Sequence, residues 1–202
     1  MAELAENDAK KPRTERGRRT MRKLLDAAAI EFGERGFHEA SISSITQRAG
    51  VALGSFYTYF DGKDAIFASL VRYMSQGVAE AAKARRAADS AGIQRECEAL
   101  AGFLDFARAN KGVYRIIDEA EFIDPSGWLG HYEGTAVRIA GRLDEAVDAG
   151  LVEAGDNEVR AWAFMGMSVF LGLRFAVLDD TRPIDDVVAV ADDLLRRGMA
   201  KQ

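Results

Sequence analysis

The sequence predicts an all-α protein, and three observations carry that prediction. Prolines are confined to Pro12, Pro125 and Pro183 in a chain of 202 residues, so long runs keep every backbone donor that a helix needs. Apolar residues return at three- and four-residue intervals along most of the chain, and no run alternates in the manner of a strand. Glycine, asparagine and aspartate collect between those runs, where helices stop and start. With 48% apolar and 29% charged residues, the composition is that of a globular protein able to bury a sizeable core.

Taken in order, residues 1–19 hold Lys10, Lys11, Arg13, Arg16, Arg18 and Arg19 without apolar periodicity and read as a disordered basic arm. A first helix is expected from about 18 to 35, with Leu24 or Leu25, Ala28 and Phe32 inward and Gly36 as its stop. Ser41 is a good N-cap for a second helix, on which Ile42, Ile45 and Ala49 share one stripe. Gly50 suits a tight turn and Val51 fills its corner. A third helix beginning near Ala52 turns Phe56 and Phe60 inward and Leu53, Ser55, Thr58 and Tyr59 toward the other side. Two short amphipathic helices meeting at a glycine turn form a helix-turn-helix, and its outward face is the one that reads DNA.

A long helix is expected from about 63 to 88, with Ile66, Phe67, Leu70, Val71, Met74 and Val78 on its apolar face. Residues 89–92 break the pattern. Further helices are expected at about 93–109, 112–123, 125–149, 157–179 and 184–198. They are punctuated by Asn110 to Gly112, by Asp124 before Pro125, by Gly150, by Gly155 with Asp156, and by residues 180–183.

Phe37, Ser41, Ile42, Ile45, Ala49, Gly50, Val51, Gly54, Ser55, Phe56, Tyr57, Tyr59, Phe60 and Lys63, taken as a set, are specific. Over about residues 20 to 70 the chain resembles the DNA-binding segment of TetR-type one-component transcriptional regulators. Thr46 departs from the small alanine usual there, and Leu53 stands where a polar residue often enters the major groove. The resemblance implies a three-helix head over 20–66 and a larger ligand-binding and dimerisation body over 67–202. It implies operator contacts from Ser41, Ser43, Leu53, Gly54, Ser55, Tyr57, Thr58 and Tyr59, while Arg18, Arg22 and Lys23, near the start of the first helix, can meet the DNA backbone. Lys63, at the N-terminus of its helix, is expected on a phosphate. The last two helices are implied to form a four-helix bundle across a two-fold axis, presenting two heads to a palindromic operator. The function implied is a regulator, a repressor released by a small apolar or amphipathic effector.

Charge distribution agrees with that division. Residues 1–86 hold 15 Lys/Arg against 11 Asp/Glu, a surplus of +4, while the remainder hold 12 against 21, or -9, for the net -5. The head is basic and the body acidic, as suits a protein touching DNA at one end.

In the body, Phe103, Phe106, Tyr114, Ile117, Phe122, Trp128, Tyr132, Trp162, Met165, Phe170 and Phe175 are spread over four expected helices, in company with Glu119, Glu121, His131 and Arg174. One by one they read as core; together they can enclose an apolar cavity with a few orienting polar groups. Arg174 can pair with a ligand carboxylate or with Glu119 or Glu121, and the sequence leaves these open. The stretch 162–173 is apolar nearly all round and must be covered on both sides, by the cavity and by a subunit interface.

Other classes are disfavoured. Cys97 is the single cysteine and His38 and His131 are the two histidines, which gives neither a disulfide nor a metal motif. Gly166, Met167 and Ser168 lack the following glycine of a nucleophile elbow, and no GxGxxG or P-loop occurs. The chain is therefore expected to be no enzyme and to carry no cofactor. No run reaches about 18 uninterrupted apolar residues and no apolar leader opens the chain, so a cytoplasmic protein without a membrane partner is expected. The alternative reading is a small-molecule-binding or interaction protein of the same fold without sequence-specific DNA binding, a reading that Leu53 keeps open.

Overall fold

A computed structural model describes residues 12–199, and among them are nine α-helices and no β-strand. They are α1 Glu15–Glu39, α2 Ile42–Ala49, α3 Leu53–Phe56, α4 Lys63–Ala84, α5 Gly92–Ala109, α6 Val113–Ile123, α7 Pro125–Asp148, α8 Asn157–Gly172 and α9 Ile184–Met199. A π-helical segment, Leu173–Leu178, continues α8 without a break. The chain packs as two compact units, one of Met1–Met74 with Gly112–Leu129 and the other of Ser75–Lys111 with Gly130–Gln202.

In the first unit Thr14 caps α1 by accepting the Gly17 N–H at 3.1 Å. Because of this cap Arg16, Arg18 and Arg19 stand on the first turns of a helix, where an irregular arm was expected. Lys10 and Lys11 lie outside the described residues. The helix is interrupted at Gly36, whose φ of 80° is open to glycine and strained for other residues. That turn brings Phe37 back onto Phe32 and Phe67, with ring centroids 5.8 and 5.1 Å away and the Phe32–Phe67 pair edge-on at 5.2 Å. Helix α6, which sequence order assigns to the body, packs here on α1. Gly33 and Gly112 make the approach possible, since a Cβ on either would lie within 2.9 Å of the other's Cα. Glu119 of α6 accepts the Phe37 N–H at 2.7 Å and so ties α6 to the Gly36 turn.

In the second unit Leu100, Ala101 and Leu104 of α5 are buried with Ile139 and Leu143 of α7, Ala161, Phe164 and Met165 of α8, and Val187 and Ala191 of α9. Gly102 lets α5 lie against the Ala81 backbone of α4, where a Cβ would collide with the carbonyl. Glu96 and Arg142, both largely buried, form a two-pronged ion pair at 2.6 and 2.7 Å. Cys97 fills a smaller cluster with Ile93, Ala146 and Val152. Burial, with the Asp192 carboxylate beside it, pushes its thiol up to about 12, so it stays an inert filler.

The continuous helix Asn157–Leu178 is long and apolar enough to cross a membrane by length and composition alone. Ala161, Phe164 and Met165 of this helix belong to the core just described. Its opposite side is uncovered within the chain, with Phe170 at 72% and Leu178 at 69% exposure.

Candidate DNA-reading head and effector cavity

The helix-turn-helix is built by local chemistry. The Ser41 hydroxyl accepts the Ser44 N–H at 3.0 Å, and the Ser44 hydroxyl accepts the Ser41 N–H at 3.2 Å, closing a reciprocal cap on α2. Gly50 adopts φ 64°, ψ 37°, and the Val51 N–H then closes on the Thr46 carbonyl at 3.0 Å. Thr46 is buried and accommodated because its hydroxyl donates to the Ser43 carbonyl at 3.0 Å. Phe56 and Phe60 are buried against each other at 5.5 Å, as their spacing requires.

The third helix is shorter than expected. It ends at Phe56 because the Thr58 and Tyr59 N–H groups close three-residue turns on Ser55 and Phe56, at 3.2 and 2.9 Å. Tyr57, Thr58 and Tyr59 thus occupy a turn. Leu53, Gly54, Tyr57 and Thr58 are exposed, Ser55 is half-buried, and the Tyr59 hydroxyl lies beside Gly17. Ser41 and Ser43 are exposed on α2, although the Ser41 hydroxyl serves the cap. Arg22 is exposed, and Arg18 is held by Glu15 at 2.7 Å. Beside α3 an open cleft is lined by Arg16, Arg19, Thr20 and Lys23 of α1 and by Gly50, Val51, Ala52 and Ser55. Sequence reasoning put Lys23 near the DNA backbone and Arg16 and Arg19 in the basic arm without joining them; their three- and four-residue spacing on α1 is the signal that places them together.

Lys63 corrects an expectation. Its ammonium does not stand open at the helix N-terminus but donates to the carbonyls of Phe37, His38 and Ala40 at 2.8, 3.2 and 3.1 Å. It also lies 4.5 Å from the centre of the Phe37 ring. Lys63 therefore closes the carbonyl end of α1, and all three of its donors are spent within the chain. Glu31, 2% exposed, receives Arg48 at 2.6 Å and Arg35 at 3.5 Å. Desolvation pushes its carboxyl up, but hydrogen bonds to Arg48 and Ser44 and the charges of Arg35 and Arg48 outweigh it and hold the carboxyl below the ordinary range.

In the second unit a cavity of about 150 Å³ lies between α4, α5, α7 and α8. Leu100, Phe103, Phe164 and Met165 give it apolar walls, while His131, Tyr132, Thr135, Arg138 and Arg142 of α7, Arg86 and Ser168 add polar ones. The His131 ring meets the Ser75 hydroxyl at 2.7 Å. Burial, then the Arg138 charge, lowers the pKa of His131, so the ring is neutral at pH 7. Among the described residues no cluster of three His, Cys, Asp or Glu side chains could hold a metal ion.

Of the residues expected to line this cavity, Phe103, His131, Tyr132 and Met165 do. Trp162 stacks on Tyr132 at 6.5 Å behind the wall, and Phe106 packs where Gly77 leaves room. Tyr114, Ile117, Glu121 and Trp128 belong to the first unit, because α6 and the start of α7 pack there. Phe170 faces outward. Arg174 pairs with neither candidate glutamate: Asp179 holds it at 3.3 Å, and Glu119 is engaged by Phe37.

Comparison with known proteins agrees with this geometry. The family model described as bacterial regulatory proteins, tetR family, matches residues 24–70. An uncharacterized HTH-type transcriptional regulator, YdgC of Bacillus subtilis strain 168, is 50% identical over 56 residues, which are 28% of this chain and 29% of that one. A fatty acid metabolism regulator protein of the same organism is 41% identical over 49 residues, 24% of this chain and 25% of its own. The chain thus matches less than a third of either relative's length. The fatty acid degradation regulator FadR of Bacillus halodurans shares the fold, with a TM-score of 0.73 over 92% of this chain and 96% of that one at 19% identity. Over residues 24–70 the chain is thus similar to the tetR family of bacterial regulatory proteins, and beyond them the likeness to solved structures is one of fold.

Proposed function

We propose that the protein is a homodimeric, ligand-responsive transcriptional regulator of the bacterial cytoplasm, a repressor that leaves a palindromic operator when a small effector enters the cavity. The observation that carries the reading is the juxtaposition on the head. Leu53, Gly54, Tyr57 and Thr58 are uncovered on and just after α3, next to the cleft lined by Arg16, Arg19 and Lys23. The exposed set reads base edges and DNA shape, and the cleft takes phosphates. Phe170, Leu178, Val190 and Leu194 form exposed apolar surface on α8, its continuation and α9, which supports pairing of two copies through these helices. Binding, with no catalytic step, is the activity.

Helix α4 supplies the coupling. Ile66, Phe67 and Leu70 on it are head core, and Val78, Ala79 and Ala82 on it line the cavity. An effector that prefers one position of α4 therefore biases DNA affinity. The test is a gel shift on the DNA upstream of the protein's own gene, titrated with salt. A band that forms at low salt and is lost steeply as salt rises is expected. No band at 50 mM salt, an amount chosen on the order of the lower end of the usual range, would refute the DNA-binding reading.

A further inference from the structure

The cavity has a polarity axis. At one end the Ser75 hydroxyl of α4 meets the His131 ring of α7 at 2.7 Å. Eleven residues further along each strand of chain stand Arg86, just past the end of α4, and Arg142 on α7, both in the cavity wall. Eleven helical residues rise roughly 16 Å, so the wall runs from a neutral end to a cationic one. Arg138 sits one turn before Arg142 on the same face of α7, with its guanidinium 2.9 Å from the Thr135 hydroxyl. The rest of the enclosure is apolar, chiefly Leu100, Phe103, Phe164 and Met165.

At the cationic end three arginines meet one carboxylate. Glu96 is committed to Arg142 with both oxygens. Among the described residues no carboxylate lies within ion-pair distance of Arg86 or Arg138. Glu98, which acts on Arg86 from further away, is itself taken by the Ala87 N–H at 3.0 Å and by Gln94 at 2.9 Å. Desolvation, then the neighbouring Arg142 charge, lowers the pKa of Arg86 and of Arg138, and on Arg86 the Glu96 and Glu98 charges offset this only in part, from beyond ion-pair distance.

We propose that the effector is an amphipathic anion, its apolar body against Leu100, Phe103, Phe164 and Met165 and its carboxylate, or an equivalent small oxyanion, between Arg86 and Arg138. The proposal rests on the reading of this cavity as the effector site. A neutral ligand leaves the half-buried Arg86 guanidinium without a carboxylate and covers the exposed Arg138 without answering its charge, and an ammonium adds a further repulsion. A carboxylate accepts charge-assisted hydrogen bonds from both. The cavity volume, about that which holds one benzene ring in an engineered apolar cavity of another protein, sets the body at a single ring or a short chain.

The test is calorimetric titration of the full-length protein with two matched trios: benzoate, benzyl alcohol and benzylammonium, then hexanoate, hexan-1-ol and hexylammonium. In at least one trio the anion is expected to bind about tenfold or more tighter than the alcohol, the ratio one charge-assisted hydrogen bond provides, and the ammonium is expected not to bind. R86Q and R138Q should each erode that ratio, and R86K should restore part of it. Equal binding of acid and alcohol, or a ratio unchanged in the doubly substituted protein, overturns the anionic effector and leaves the cavity as an effector site. Binding of none of the six probes overturns both.

Discussion

The head and the cavity unit use the same kinds of side chain in opposite ways. In the head, Lys63 is answered by three carbonyls, Arg48 by Glu31 and Glu34, and Glu119 by the Phe37 N–H. In the cavity unit, Arg142 is answered by Glu96, but Arg86 and Arg138 have no carboxylate partner among the described residues. A charge whose bonding directions are met inside the chain holds the fold in place. A charge left without a partner in a partly desolvated wall is available to something outside the chain. Residue type does not separate the two roles; what surrounds the side chain does.

Three substitutions test that contrast, beginning with the largest effect. Glu96→Gln turns Arg142 into a third uncompensated cation, and breaking such a pair costs about 3 kcal/mol, read as a lower urea midpoint with an unchanged slope. Next, Lys63→Met should lower stability by about 1–3 kcal/mol through the lost carbonyl contacts. It should leave the salt dependence of operator binding as it was. Lys23→Gln, in the open cleft, should do the reverse, leaving stability alone and reducing the salt slope by about 0.9. If Lys63→Met flattens the salt slope instead, the contrast between internal and external cations fails at its best example.

The smallest effect concerns His131, whose pKa burial lowers below the ordinary 6.5. The unfolded chain then binds more protons than the folded one, so stability rises with pH. The contribution is complete above about pH 7 and falls away as the solution is acidified through 6.5 and below. His131→Asn should flatten the thermal midpoint between about pH 7 and 5 relative to the parent. A steeper acid loss in the variant would show that His131 is charged in the folded state.

Much of the architecture is legible in residue order because its signals are local. Ser41, Gly36, Gly50 and Asp156 act on hydrogen bonds within a few residues, and the helices start and stop beside them. Long-range partners are not legible. Lys63 reads as a phosphate anchor at a helix start, yet its stem reaches back across more than twenty residues to carbonyls that only the fold supplies. The cavity is half-legible for the same reason. Periodicity says correctly that Ile117 faces inward, but a hydrophobic stripe carries no address, and on α6 inward means toward α1. Arg86 and Arg138 were missed because an arginine on a helix is usually solvated, and no pattern in the sequence marks the carboxylates that fail to reach them.

The Gly33–Gly112 contact bears on how this chain can drift. Each position is the other's reason for being glycine, since a Cβ on either meets the partner's Cα. A single step to alanine at one site finds no relief from a change at the other, because glycine is already the smallest residue there. The two positions therefore act as one locked locus, and in a saturation library covering the whole chain they should be depleted together, whatever the selection acts on.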